Sequence, residues 1–384
     1  MTNLLRPVLR PSRARVLAPA AVLALAATAC GGGTAGTPEQ ASEPSAASTA
    51  VATEPAAEPL SVVATTSILG DVVGSILGDA GTVTVLLPPG TDPHVYAPSA
   101  RDAQAIREAD LVVANGLGLE ETLLDTLEAA ATDGVTVVAV AEYDGIDPLA
   151  YGEEAFDAHA DAHGDDAHGD DEHGDDEHGD DEHGDDDDHG DDDDHGDEGK
   201  DDGHGHGAGE LDPHIWFDPQ RMALAVEQLS LTLDELAPDA GVLERGTEYA
   251  EMLRELDDEL REVLDAVPDD RRRMVTNHDA LGYLAARYDL EVVGTVIPGT
   301  SAAANPSARE FAELAELVAE TGVAAIFTEN TGGDRLAEAL AEQVGRDVAV
   351  VSLYTDALGP EGSGAETYPD LLRTDARLIA EALG

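Results

Sequence analysis

Eight short apolar runs, each separated from the next by a helical stretch, constrain this chain more than any other feature. Four occupy residues 61–65, 82–87, 111–114 and 135–140, and four more recur at 274–276, 291–296, 324–328 and 348–352. Near-continuous Val and Leu runs alternating with helices read as parallel strands in βαβ units, because a strand covered on both faces has no polar side. The chain is therefore expected to be α/β, with two βα-alternating lobes at 60–218 and 268–384, each on a central parallel-type sheet. Residues 219–267, rich in Ala, Leu, Glu and Arg, are expected to join the lobes as a long rigid helix with a break near Pro238. Asp218 is placed to cap that helix and Pro219 to open its first turn.

Residues 157–209 interrupt the first lobe. Here His-Gly-Asp-Asp units repeat, and 25 acids stand against one base, Lys200, between Asp157 and Asp202. Like charges repel and large apolar side chains are absent, so a disordered loop is expected. Ten of the 13 histidines of the chain lie in it: His159, His163, His168, His173, His178, His183, His189, His195, His204 and His206. Imidazoles interleaved with carboxylates suit weak, fast-exchanging coordination of divalent metals, and an accessory metal-buffering loop is expected. An inert acidic tract, the alternative, has no use for histidines.

The whole chain carries 20 Lys+Arg against 81 Asp+Glu, a net charge of −61. Phosphate backbones need clustered cations, so nucleic acid is excluded as a partner. A single cysteine excludes both an internal disulfide and a cysteine-based zinc ribbon, so any transition-metal site must use histidines and carboxylates. At the amino terminus, Arg6, Arg10, Arg13 and Arg15 precede an apolar run at 16–29. At ~14 residues the run is too short to span a bilayer and has the layout of a signal peptide. It closes with Leu25-Ala26-Ala27-Thr28-Ala29-Cys30-Gly31, which resembles a bacterial lipoprotein signal whose cysteine is acylated. That resemblance implies a lipid on Cys30, with 30–59 as a flexible tether. The expected location is the outer face of the bacterial cytoplasmic membrane or the periplasm, held by two acyl chains.

The three remaining histidines stand in distinctive settings. His94 lies in Asp92-Pro93-His94-Val95-Tyr96, after a predicted strand, and His214 in Asp212-Pro213-His214-Ile215-Trp216-Phe217-Asp218-Pro219. His278 lies in Asn277-His278-Asp279-Ala280-Leu281-Gly282-Tyr283, where a strand meets a helix. Proline stiffens each Asp-Pro-His turn, and the aspartate is placed to accept a ring N–H and fix the tautomer. Each histidine sits at the end of a regular element, where α/β folds build ligand sites.

With these motifs the chain, from about Leu60 to Gly384 without the insertion, resembles the metal-binding solute-receptor family of ABC importers, and most closely its zinc-specific members. The resemblance implies two α/β lobes joined by a long helix, one metal in the cleft, and delivery to a membrane permease by a monomeric receptor. It implies His94, His214 and His278 as metal ligands, with Asp356 or water in the fourth position. Zinc-specific members often carry a His- and acid-rich loop where the insertion lies, and manganese receptors tend to have Glu where His278 stands. Three imidazoles and one carboxylate suit tetrahedral Zn²⁺, whereas Mn²⁺ prefers more oxygen donors. Release is expected below pH ~6.5, the unperturbed imidazole value. Acids such as Glu329 are expected to attract the cation. A metal-sequestering surface adhesin is the alternative. An enzyme is not expected: there is no His-Glu-x-x-His helix and no Gly-x-Ser-x-Gly elbow, and Asp356 would fill the position a reactive water needs.

Overall fold

Parallel pairing takes up the eight apolar runs as two four-stranded sheets in the computed structural model, which describes residues 59–151, 211–297, 306–331, 334–345 and 348–384. Cys30, the tether and the ten histidines of the insertion lie outside the described residues. In the first lobe β1 (Leu60–Ala64), β2 (Gly81–Val85), β3 (Leu111–Ala114) and β4 (Thr136–Ala139) run in the order β2-β1-β3-β4. The second lobe repeats the plan with β5 (Arg273–Thr276), β6 (Glu291–Thr295), β7 (Ala325–Glu329) and β8 (Ala349–Leu353) in the order β6-β5-β7-β8. Both sheets reverse their winding beside the first strand, which opens a crevice at the carboxyl ends of β1 and β3 and of β5 and β7.

Side chains alternate across each central strand and sort the core into layers. Val62, Ala64, Leu111 and Val113 face an inner cluster that Met274, Ala325 and Phe327 of the second sheet also join. Val63, Val112 and Ala114 point the other way, into a cluster with Ile106 of α2 (Ala100–Glu108) and Leu127 of α3 (Leu124–Asp133). Val275 and Ile326 do the same in the second lobe, against Val318 of α7 (Ala308–Thr321) and Leu340 of α8 (Asp334–Val344). Because the inner cluster is common to both sheets, the two lobes share one core.

The stretch expected as one connecting helix is two helices, α4 (Pro219–Leu236) and α5 (Val242–Leu264). Pro238 disfavours helix at Ala237, and positive φ at Asp239 (64°) and Gly241 (71°) turns the chain back on itself. The pair is antiparallel: Gln220 at the start of α4 bonds Asp257 late in α5 (3.0 Å), and Arg254 bonds Glu227 (2.8 Å). The connecting rod is α5, about 35 Å long for its 23 residues. It packs against α1 (Ser67–Leu77) of the first lobe and α9 (Tyr368–Leu383) of the second. Its Arg245 forks onto the last carbonyls of α1, at Ile76 and Leu77 (both 2.7 Å), and satisfies a helix end that would otherwise lack donors.

The α4–α5 contact depends on Gly246, where an added Cβ would meet Ser230 Cβ at 2.6 Å and Oγ at 1.9 Å. Gly246→Ala should lower stability by about 2 kcal/mol, since overpacking outweighs the gain in helix propensity. Gly74→Ala in α1 meets nothing within 4 Å and should instead raise stability by about 0.5–1 kcal/mol. Thermal melts of the two variants check the opposite signs.

Candidate metal centre

Among the described residues, the four predicted ligands each follow a strand or the insertion in the chain: His94 after β2, His214 after the insertion, His278 after β5 and Asp356 after β8. β2 pairing continues through Leu86 and Leu87, whose N–H groups donate to Ala64 and Thr65 (both 3.0 Å), before the chain turns at Gly90, φ 77°. Asp92 then accepts the backbone N–H of His94 (2.8 Å). Tyr96 donates its hydroxyl to Asp102 in the first turn of α2 (2.7 Å), which ties this loop to a helix.

His214 is held by residues of both lobes. Asn115, just past β3, donates to the Pro213 carbonyl (2.9 Å), and Tyr283 of α6 (Gly282–Arg287) donates to that of Asp212 (2.7 Å). Asp212 Oδ1 lies 2.9 Å from the His214 backbone nitrogen and 2.6 Å from Nδ1. The expected ring bond is thus made in the second Asp-Pro-His turn, directing Nε2 to the site. Asp218 caps α4 through Gln220 and Arg221 (2.9 and 3.2 Å), with Pro219 in the first turn, as its sequence implied.

In the second lobe His278 follows β5 and Asp356 follows β8. Glu329 at the end of β7 bonds His278 Nδ1 and accepts from Asn277 Nδ2 (3.1 Å), bridging the crevice between β5 and β7. Buried at 3% exposure, Glu329 orients an imidazole and adds negative charge beside the cluster.

His94, His214, His278 and Asp356 converge, each offering one ligand atom, with these atoms within 4.8 Å of one another. Tetrahedral donors at ~2.0 Å from a metal stand about 3.3 Å apart, so closing on an ion requires movements on the order of 1 Å. His214, His278 and Asp356 are buried and His94 partly so. Nε2 of His278 and Oδ1 of Asp356 have no hydrogen-bond partner. Buried polar atoms without partners are costly, and a divalent cation would satisfy both.

The electrostatics of the cluster favour positive charge. Burial lowers the pKa of His278, but the charges of Glu329 and Asp356 outweigh it and raise it to about 9. Burial and the neighbouring Glu329 and Asp92 raise Asp356 to about 7, against the pull of His278. Burial likewise raises Asp92, while His278 holds Glu329 below the usual carboxylate value despite its burial. Carboxylate charge around His278 thus favours a cation at this point.

A protein-family model described as "ZnuA: Zinc-uptake complex component A periplasmic" matches residues 62–382. The manganese-binding lipoprotein MntA of Halalkalibacterium halodurans is 28% identical over 364 residues, 94% of this chain and 96% of that protein. The zinc-binding protein TroA of Treponema pallidum is 28% identical over 328 residues, 84% of this chain and 88% of its own length. The solved structure of that periplasmic zinc-binding protein superposes with a TM-score of 0.65 at 27% identity, covering 85% of this chain and all of the other.

Proposed function

We propose, from the premise that the chain belongs to the ZnuA family of periplasmic metal-uptake components, that it captures Zn²⁺ in its cleft and delivers it to an ABC permease. The observation that carries this is the convergence of His94, His214, His278 and Asp356 from both lobes on one buried point. Three neutral imidazoles and one carboxylate oxygen make a nitrogen-rich, four-coordinate set, which suits Zn²⁺. The receptor acts as a monomer, tethered through a lipid on Cys30, and its insertion supplies weakly bound zinc to the cleft. No helix among the described residues is long and apolar enough to cross a membrane. Binding without catalysis is supported by Asp356, which as fourth ligand leaves no position for a reactive water.

A manganese receptor is the second reading. Both oxygens of Asp356 face the cluster, Oδ1 3.7 Å from His214 Nε2 and Oδ2 3.9 Å from His278 Nε2. Bidentate binding would add a fifth donor and a second oxygen, a set more hospitable to Mn²⁺. Competition calorimetry with Zn²⁺ and Mn²⁺ tests the pair of readings, on the mature chain and on one with Ser-Gly in place of residues 157–209. One tight zinc site in both proteins, with manganese far weaker, is the expected result. Tight binding that disappears with the insertion would make the protein a metal-sequestering surface lipoprotein instead.

Metal binding should also release protons well above pH 6.5. Histidine ligands bind only when neutral, and the charges of Glu329 and Asp356 push His278 in the metal-free site up to about 9. Affinity should therefore climb as pH rises to about 9, with at least one proton displaced per ion near neutrality. Below about 7 the slope should steepen as Asp356 is protonated too. Calorimetry in buffers of different ionisation enthalpy counts the protons; none released near neutral pH would contradict a cation replacing the His278 proton.

A further inference from the structure

Granting the cleft reading, the choice between Zn²⁺ and Mn²⁺ turns on whether Asp356 offers one oxygen or two. Its two oxygens are not equivalent. Oδ2 accepts the Thr355 hydroxyl (3.2 Å), whereas Oδ1 has no hydrogen-bond partner. Thr355 is itself fixed from across the cleft, because the indole Nε1–H of Trp216 donates to its carbonyl (2.8 Å). Trp216 has little freedom of its own: it is 3% exposed, and Tyr368 donates its hydroxyl to the Trp216 carbonyl (2.6 Å). Its ring meets His214 edge-on, with centroids 5.1 Å apart and planes at 70°. The loop closes at the site, where His214 Nε2 stands 3.7 Å from Asp356 Oδ1. One indole therefore registers a nitrogen ligand entering α4 against an oxygen ligand following β8.

We propose that Trp216 is a selectivity-determining positioning residue: although both oxygens of Asp356 face the cluster, through Thr355 it keeps a hydroxyl on Oδ2 and leaves Oδ1 for the metal, so that the site presents four donors and discriminates against Mn²⁺. The chemistry is that of an outer hydrogen-bond shell, in which partners that never touch the ion fix the pose of a ligand that does. Mn²⁺ gains when a carboxylate turns to bind through both oxygens, and Zn²⁺ gains little.

Two replacements isolate the two links. Trp216 is the only tryptophan of the chain, so it can be exchanged biosynthetically for benzothienylalanine, which keeps the ring shape and puts sulfur in place of N–H. Thr355→Val keeps the shape of residue 355 and frees Oδ2. Each protein is titrated with Zn²⁺ and Mn²⁺ in competition and loaded with Co²⁺, whose visible absorption is intense at four-coordinate and weak at higher-coordinate sites. The zinc-to-manganese affinity ratio should fall by about tenfold or more in both variants, with a weakened cobalt band. Equal losses for both metals with an unchanged cobalt spectrum would reduce Trp216 to packing, and an unchanged ratio in Thr355→Val would overturn the proposal even if the tryptophan variant failed to fold. Failure of the unsubstituted protein to bind any of the three ions tightly would instead refute the receptor reading on which this rests.

Discussion

Replacing His94 by alanine should weaken zinc binding by about a hundred- to a thousandfold while leaving the metal-free protein as stable as before. Four-ligand zinc sites are worth roughly 10–16 kcal/mol in all, so one donor accounts for about 3–4 kcal/mol, or two to three decades of affinity. His94 is suited to the test because it sits partly buried in a loop after β2 rather than in the shared core. Its loss leaves the Glu329–His278 pair and the Asp212–His214 pair in place. In a melting experiment, zinc at about a thousand times its dissociation constant should stabilise the unsubstituted protein by about 4 kcal/mol, and the variant by at most about 1–2 kcal/mol. Competition calorimetry measures the affinity itself. Unchanged affinity would move tight binding away from the cleft and onto the insertion.

The strands were legible because their chemistry is local. β3, Leu111-Val112-Val113-Ala114, is apolar on both faces, and the structure buries both. Even the edge strand β2, where Thr82 and Thr84 alternate with valines, kept enough pattern to be placed. His94, His214 and His278 stood out because every other histidine belongs to the insertion. Asp356 did not: nothing local marks one acid among 81, and only family resemblance pointed to it. The orienting role of Glu329 was hidden for another reason. Its partner lies 51 residues away and becomes adjacent only because β5 and β7 pair across a crossover. Pro238-Asp239-Ala240-Gly241 did announce a turn, but was read as a break within one helix; the reversal depends on left-handed φ at two of its residues. The electrostatic setting of His278 was hidden as well, because Glu329 and Asp356, which push it above the unperturbed imidazole value, are distant in the chain.

Removing Glu329 should separate affinity from stability through their opposite dependence on pH. Glu329 is buried and bonds Nδ1 of His278, so in Glu329→Ala the imidazole loses both its orienting acceptor and the nearest charge that keeps it protonated. In alkaline solution, where no proton competes, zinc binding should weaken by about ten- to a hundredfold for want of the outer hydrogen bond. As pH falls, the unsubstituted site must displace a proton that the variant holds less firmly, and the gap between them should narrow. Stability behaves in reverse. A histidine whose pKa is raised on folding stabilises the metal-free protein fully below about 6.5, the unfolded value, and loses that contribution as pH rises through about 9. Glu329, whose pKa is lowered, contributes above about 4.5. The variant should thus be destabilised by roughly 3 kcal/mol between those limits, as for other broken buried pairs, with the deficit shrinking in alkali. Glu329→Gln, which keeps an acceptor for Nδ1 but no charge, should lie between the two in affinity at high pH. Calorimetry and melting across the same pH series decide it: deficits that rise and fall together would mean that Glu329 serves the core alone, whereas deficits that cross would place it in the binding machinery.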